Sequence, residues 1–179
     1  MPILPFLKLG HPLLRQVSEP VDLSLEKDSV IELISNMTLS LDHEVRRLGL
    51  AAPQVGVLKR VVIFRIPKET HKRYGGEKLQ EIPLTVLINP IIKPLSEEKK
   101  IGFEACISVP NMMGEVERYQ EIEYTYLDLE GSQHTVQASG FHARVIQHEC
   151  DHLDGILYPF RMKSLDRFGY EDEMIAQLG

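Results

Sequence analysis

The sequence predicts an α+β fold, with antiparallel strands packed around a central helix, one helix toward the N-terminus and another at the C-terminus. Three observations predict it. Ser139 to Gly155, SGFHARVIQHECDHLDG, is apolar on two sides when drawn as a helix, which places that helix in the middle of the molecule. Several strand-like runs precede it without regular strand–helix–strand units, which disfavours a doubly wound sheet. The chain has 179 residues, 43% hydrophobic and 26% charged, and is most simply one domain, residues 1–179, with a sizeable core.

Residues 1–25 are rich in Pro and read as an extended arm wrapped over the core, Leu13-Leu14-Arg15 included. Asp28 or Ser29 opens a helix to about Val45, because Val30, Leu33, Ile34, Met37 and Leu41 recur at three and four residues. Leu48 to Gly56, LGLAAPQVG, reads as a tight loop of small residues. Arg60–Ile66 reads as a strand, 67–82 as a polar surface loop or hairpin tip, and Leu84–Ile92 as a strand interrupted at Pro90. Ser96–Lys100 is a charged turn. Glu115–Leu127 alternates as a strand, Asp128–Ser132 turns, and His134–Ala138 returns into the central helix, which Ser139 can cap and Gly155 can end. Ser164–Gly179 reads as a short terminal helix with an acidic flank.

Composition narrows the function classes. A net charge of -6 argues against nucleic acid or an acidic membrane as the main partner. No apolar run spans a bilayer, and the first residues, MPILPFLKLGHP, lack the pattern of a signal peptide. Two Cys are too few for a disulfide framework, which points to a reducing compartment, most simply the cytoplasm.

The chemistry concentrates in His148-Glu149-Cys150-Asp151-His152. On a helix, His148 and His152 lie one turn apart on one face, where two imidazoles can hold one metal ion. Glu149 sits at the edge of that face, within reach of a water on the metal, as an acid/base requires. Phe141 and Val145 continue the stripe and suggest a pocket for an apolar side chain. A catalytic site needs a third protein ligand. Cys150 lies about half a turn round the helix and points away, so Cys106 is the better thiol, while carboxylates, Glu104 included, compete for the place. Gln54 is the only polar side chain in its loop; it either donates to a ligand or caps a backbone group, and the residue alone favours the cap.

Three segments in order, GLAAPQ, EACIS and QHECDH, resemble the three signature motifs of the peptide deformylases. Val86-Leu87-Ile88-Asn89-Pro90 and Gly155-Ile156-Leu157-Tyr158 are supporting echoes, and the resemblance spans nearly the whole chain. It implies an α+β fold and removal of the formyl group from N-terminal formylmethionine. It implies Cys106, His148 and His152 as ligands of one divalent metal, Fe2+ first, with Zn2+, Ni2+ or Co2+ as substitutes. It implies Glu149 as the catalytic carboxylate, and Gln54 with the backbone N–H of Ile107 as the oxyanion donors. Gly49, Leu50, Phe141 and Val145 then lie near the methionine pocket, and Glu104 and Arg118 form a pair behind the metal site. The implied partners are N-formylmethionyl nascent peptides, with the ribosome close by, in a bacterial cytoplasm. No direct DNA or membrane contact is expected, and a monomer is favoured over a dimer.

Arg47 and Ala105 stand where the family usually has Gly, and Met113 where many bacterial members have Arg near the cleft mouth. The rival readings are an endopeptidase of the His-Glu-x-x-His type and a binding relative that has lost activity.

Overall fold

The computed structural model describes residues 2–44, 47–68 and 79–177. The first helix, α1 (Leu23–Asp42), begins about one and a half turns earlier than its apolar spacing suggests. Asp22 caps it: its Oδ1 accepts from Ser24 N at 2.9 Å, while Glu26 Oε2 accepts from Asp22 N at 2.9 Å. This reciprocal cap overrides the exposed Leu25, which carries no periodic signal. The expected end at Val45 lies outside the described residues, as does most of the 67–82 loop.

Among the described residues eight strands follow, all antiparallel, in two sheets. The larger sheet has the order β1-β2-β3-β6-β7, built from β1 (Gly49–Ala51), β2 (Val61–Ile66), β3 (Ile82–Pro94), β6 (Glu121–Leu127) and β7 (Gln133–Ser139). The smaller has the order β4-β5-β8, from β4 (Lys99–Cys106), β5 (Val109–Tyr119) and β8 (Phe168–Tyr170). The central helix α2 (Gly140–Leu153) lies between them, and α3 (Glu171–Ala176) closes the described chain.

Strand β2 shows why VVIF is apolar throughout. Val61 and Ile63 pack with Val30, Ile34, Met37 and Leu41 of α1 on one face of the sheet. Val62 and Phe64 pack with Ala143, Ile146, Cys150 and Leu153 of α2 on the other. A strand covered on both faces loses its polar alternation. Strand β3 runs through Pro90 without stopping. Its register shifts between Ile88 and Ile91, and Asn89 takes a φ of 52°, so the proline sits in a bulge. The Asn89 amide also holds the arm, accepting from Val21 N at 2.8 Å and donating to Val21 O at 2.9 Å.

Three sequence expectations need correction. Gly49–Ala51 is a short edge strand, not loop, and a 3-10 turn over Ala52–Val55 supplies the tight part. Glu115–Leu127 is not one strand: the chain breaks at Gln120 and passes from the small sheet to the large one, keeping its alternation on both sides. The terminal helix is only Glu171–Ala176, because Phe168–Tyr170 pairs with Met112–Gly114 instead of extending it.

The N-terminal arm ties the two site-bearing turns together. Leu7 N donates to Gln54 O at 2.8 Å, and Leu9 N to Ser108 O at 2.7 Å. Leu14 is buried with Cys106, Val109 and Tyr158. Gly155, at a φ of 70°, stops α2, and a Cβ there would lie 2.7 Å from the Arg15 carbonyl carbon, so the arm's path and the helix stop demand the same glycine.

Candidate active site

Helix α2 starts without the expected cap, for the Ser139 side chain makes no capping bond. Packing holds the helix instead. Ala143, Ile146, Cys150 and Leu153 are all buried in the core against the large sheet. That fixes the opposite face, where His148 and His152 stand with ring centroids 5.1 Å apart and planes at 82°.

Cys106 ends β4 at a two-residue turn and reaches this face from the small sheet, 3.3 Å from Sγ to His152 Nε2. One ligand atom from each of Cys106, His148 and His152 lies within 4.8 Å of the others. One thiol and two imidazoles converging on a point suit a transition-metal ion. Burial alone would push the Cys106 thiol up, but the imidazoles of His152 and His148 outweigh it and hold the thiol well below its usual range, in the form a metal binds. Ala105 takes this position without a positive φ, so the family's glycine is not required here.

Glu104 does not join the cluster as a ligand. Its Oε2 meets His148 Nδ1 at 2.8 Å, which orients the ring and leaves the other ring nitrogen for a metal. Arg118 grips the same carboxylate twice, at 2.8 and 2.9 Å, and Arg144 Nη1 adds a bond at 3.0 Å. Burial opposes the charge on Glu104, but Arg118 and His148 outweigh it and hold the carboxyl far below the usual carboxylate range. Arg118 also donates to Asp151, which Arg161 binds from the far side at 2.7 and 3.1 Å.

Gln54 caps a backbone group, the simpler of its two sequence readings. Its Oε1 accepts from Ala51 N at 2.8 Å, which fixes the amide, and its Nε2 then points at Cys106 Sγ (3.3 Å) and Ser108 Oγ (3.1 Å). Glu149 is buried beside the histidines with Oε2 unpartnered. Burial pushes its carboxyl up to about 7, against the pull of His148 and His152. Gly49 makes room for it, since a Cβ there would fall 2.3 Å from Glu149 Oε1.

These groups open on one cleft, walled by Gly49, Ile107 and Met113 and floored by Phe141, Val145 and Glu149. Arg47 lies on its wall as well. Leu50 does not line it: its side chain is fully buried with the α1 core, and only Gly49 of that pair meets the cleft. Sequence reasoning missed Asp151, Arg161 and Arg144. Asp151 lies inside the motif, and Arg144 interrupts an apolar helix, so both carried a weak signal; nothing in the local pattern of Arg161 marked it.

The sequence profile of the polypeptide deformylase family matches residues 3–168. The chain belongs to the peptide deformylase family. As a peptide deformylase it is a metal-dependent hydrolase that removes the formyl group from N-terminal formylmethionine. It is 44% identical over 176 residues to peptide deformylase 2 of Ralstonia nicotianae, covering 98% of this chain and 96% of that one. It is 42% identical over 172 residues to peptide deformylase 1 of Bordetella pertussis, covering 96% and 94%. The fold superimposes on a Met-Ala-Ser-bound class I type b peptide deformylase from Acinetobacter baumannii with a TM-score of 0.80 and 34% identity, over 90% of this chain and 99% of that one. The Cys-His-His cluster is typical of deformylase metal sites. No helix among the described residues is long and apolar enough to cross a membrane.

Proposed function

We propose that residues 1–179 act as a single catalytic domain on N-formylmethionyl nascent peptides, with one Fe2+ held by Cys106, His148 and His152. The observation that carries this is the unpartnered Glu149 Oε2, buried beside those three convergent ligands and facing a cleft with an apolar floor. The metal supplies the Lewis acidity that makes water a nucleophile at neutral pH. Glu149 accepts the proton of that water and delivers it to the leaving amine. Gln54 Nε2, held in place by Ala51 N, and the backbone N–H of Ile107 donate to the developing oxyanion. Phe141 and Val145 receive the methionine side chain, with Gly49 along the wall. Glu104 and Arg118 hold His148 at the angle a ligand needs. Zn2+, Ni2+ or Co2+ fits the same donors, and the soft thiolate with two imidazoles does not favour one of them. The Acinetobacter relative with Met-Ala-Ser bound supports a peptide in the corresponding cleft. The enzyme works as a monomer in a bacterial cytoplasm, near the ribosome, where formylated chains emerge.

Formate release from a short formyl-Met peptide tests this, with protein purified without oxygen beside its Glu149→Gln variant and metal content measured in both. Release by the parent and its loss in a metal-loaded variant are expected. A metal-loaded parent that releases no formate would overturn the reading, and cleavage of internal bonds in unformylated peptide would favour the endopeptidase.

A further inference from the structure

Six described arginines, Arg60, Arg65, Arg118, Arg144, Arg161 and Arg167, each hold a carboxylate. Arg15 lies 4.0 Å over the Phe160 ring. Arg47 alone among the described arginines has no carboxylate or ring partner. It lines the cleft, and its Nη1 is shut off from water with no acceptor. A guanidinium that has lost hydration on one side without gaining a partner is under-satisfied, and a carboxylate brought to it recovers that loss. Neither cleft carboxylate fills the role: Glu104 is taken by His148, Arg118 and Arg144, and Glu149 Oε2 is itself unpartnered.

Position fixes which part of a substrate could meet it. Gly49 abuts Glu149, where the chemistry takes place. Leu48 O accepts from Arg65 N at 2.7 Å, so the extended chain of β1 continues back toward Arg47. Arg47 therefore lies two residues, at most about 7 Å of chain, from the reacting end of the same wall. An extended peptide advances at the same rate.

We propose that Arg47 is a specificity-determining residue that binds a carboxylate of the substrate about two residues beyond the formylmethionine. That carboxylate is either an acidic side chain at the third position or the terminal carboxylate of a short peptide. The proposal rests on the deformylase reading of the cleft.

The test is steady-state formate release, at low and high salt, from four peptides: formyl-Met-Ala-Asp amide, formyl-Met-Ala-Lys amide, formyl-Met-Ala-Ala amide and formyl-Met-Ala-Ala free acid. The parent enzyme is compared with Arg47→Gln and Arg47→Lys. In the parent, the KM of the Asp amide or of the free acid should lie about five- to tenfold below that of the Lys amide at low salt, the gap narrowing as salt rises. In Arg47→Gln that ratio should fall to near one, and Arg47→Lys should restore part of it. A gain confined to the Asp amide assigns the side chain as the source, and one confined to the free acid assigns the terminus. A parent that does not discriminate, or an Arg47→Gln variant that keeps the parent's ratio, overturns the proposal while leaving the deformylase reading intact. Absence of formate from all four peptides would overturn that reading and this proposal with it. Should Arg47→Gln fold poorly, the Arg47→Lys ratios and the parent's salt series still decide the question.

Discussion

Adding one methyl group at Gly49 separates the fold from the chemistry. A Cβ at this position would lie 2.3 Å from Glu149 Oε1, 2.6 Å from Cδ and 2.9 Å from Cγ. Ordinary contact needs roughly 3.5 Å, so the carboxylate must retreat by about 1 Å. The obstructing atoms form the end of a flexible side chain and not backbone, and no described partner holds Oε2 in place. Gly49 has no positive φ, so alanine suits the backbone. The retreat therefore costs the fold little, while a misplacement of about 1 Å at a reacting group can cost on the order of 10²-fold in rate, or about 2.7 kcal/mol of barrier. Gly49→Ala should keep its metal and shift the thermal midpoint by no more than a few degrees, with kcat on a formyl-Met peptide down about a hundredfold. The assay is formate release at saturating peptide, beside metal analysis and thermal unfolding of the same preparation. A variant within about threefold of the parent rate would refute the claim that the Glu149 position is critical. A lost fold would refute the claim that only a side-chain tip is in the way.

Three further outcomes follow from the same geometry. Cys106→Ala should lose the metal, whereas Cys150→Ala, on the opposite face of α2 and buried in the core, should keep both metal and formate release, as metal analysis of the two will show. Asp151→Ala leaves the buried Arg118 charge short of a partner and should cost about 3 kcal/mol in denaturant unfolding and speed metal loss to a chelator, while Asp154→Ala, whose pair with Arg60 is half-exposed, should cost less than about 1 kcal/mol. In metal-free protein, Glu149 titrates at about 7 instead of 4.5, so the folded state favours the protonated form; its charge costs stability increasingly from about pH 4.5 to pH 7, with a ceiling of roughly 3 kcal/mol. Glu149→Gln should therefore stabilise the metal-free protein more at pH 8 than at pH 5, and equal stabilisation at both would refute the desolvation account.

The parts legible in the sequence were those with a period or a motif. The central helix announced itself because His148, Glu149 and His152 obey helical spacing inside an apolar pattern, and α1 because Val30, Ile34, Met37 and Leu41 do. Boundaries were not legible where a local hydrogen bond outranked the pattern, as Asp22 and Glu26 do at the start of α1. The split at Gln120 hid because both strands alternate in phase and no Gly or Pro marks the crossing between sheets. Cys106 had to compete with Glu104 as third ligand because spacing along the chain does not tell which of two side chains two residues apart faces the helix. In β4 the two lie on the same side of the pleat, and the turn after Cys106 decides between them.

That shared side has a consequence for the metal site. With Cys106 beside the histidines, Glu104 falls directly behind His148, and a lone buried carboxylate there would be costly and would draw a proton onto the ring. Arg118 and Arg144 lower the burial cost by donating to Glu104, and Asp151 and Arg161 balance Arg118 in turn. The path leads from His148, at the centre of the molecule, to Arg161, whose side chain is 44% exposed. The charge that orients a buried ligand is thus compensated stepwise out to solvent, and removal of Arg161, at the outer end, leaves Asp151 still paired with Arg118. Truncating Arg161 should therefore perturb the site less than truncating Asp151, a ranking that metal retention in Arg161→Ala and Asp151→Ala measures directly.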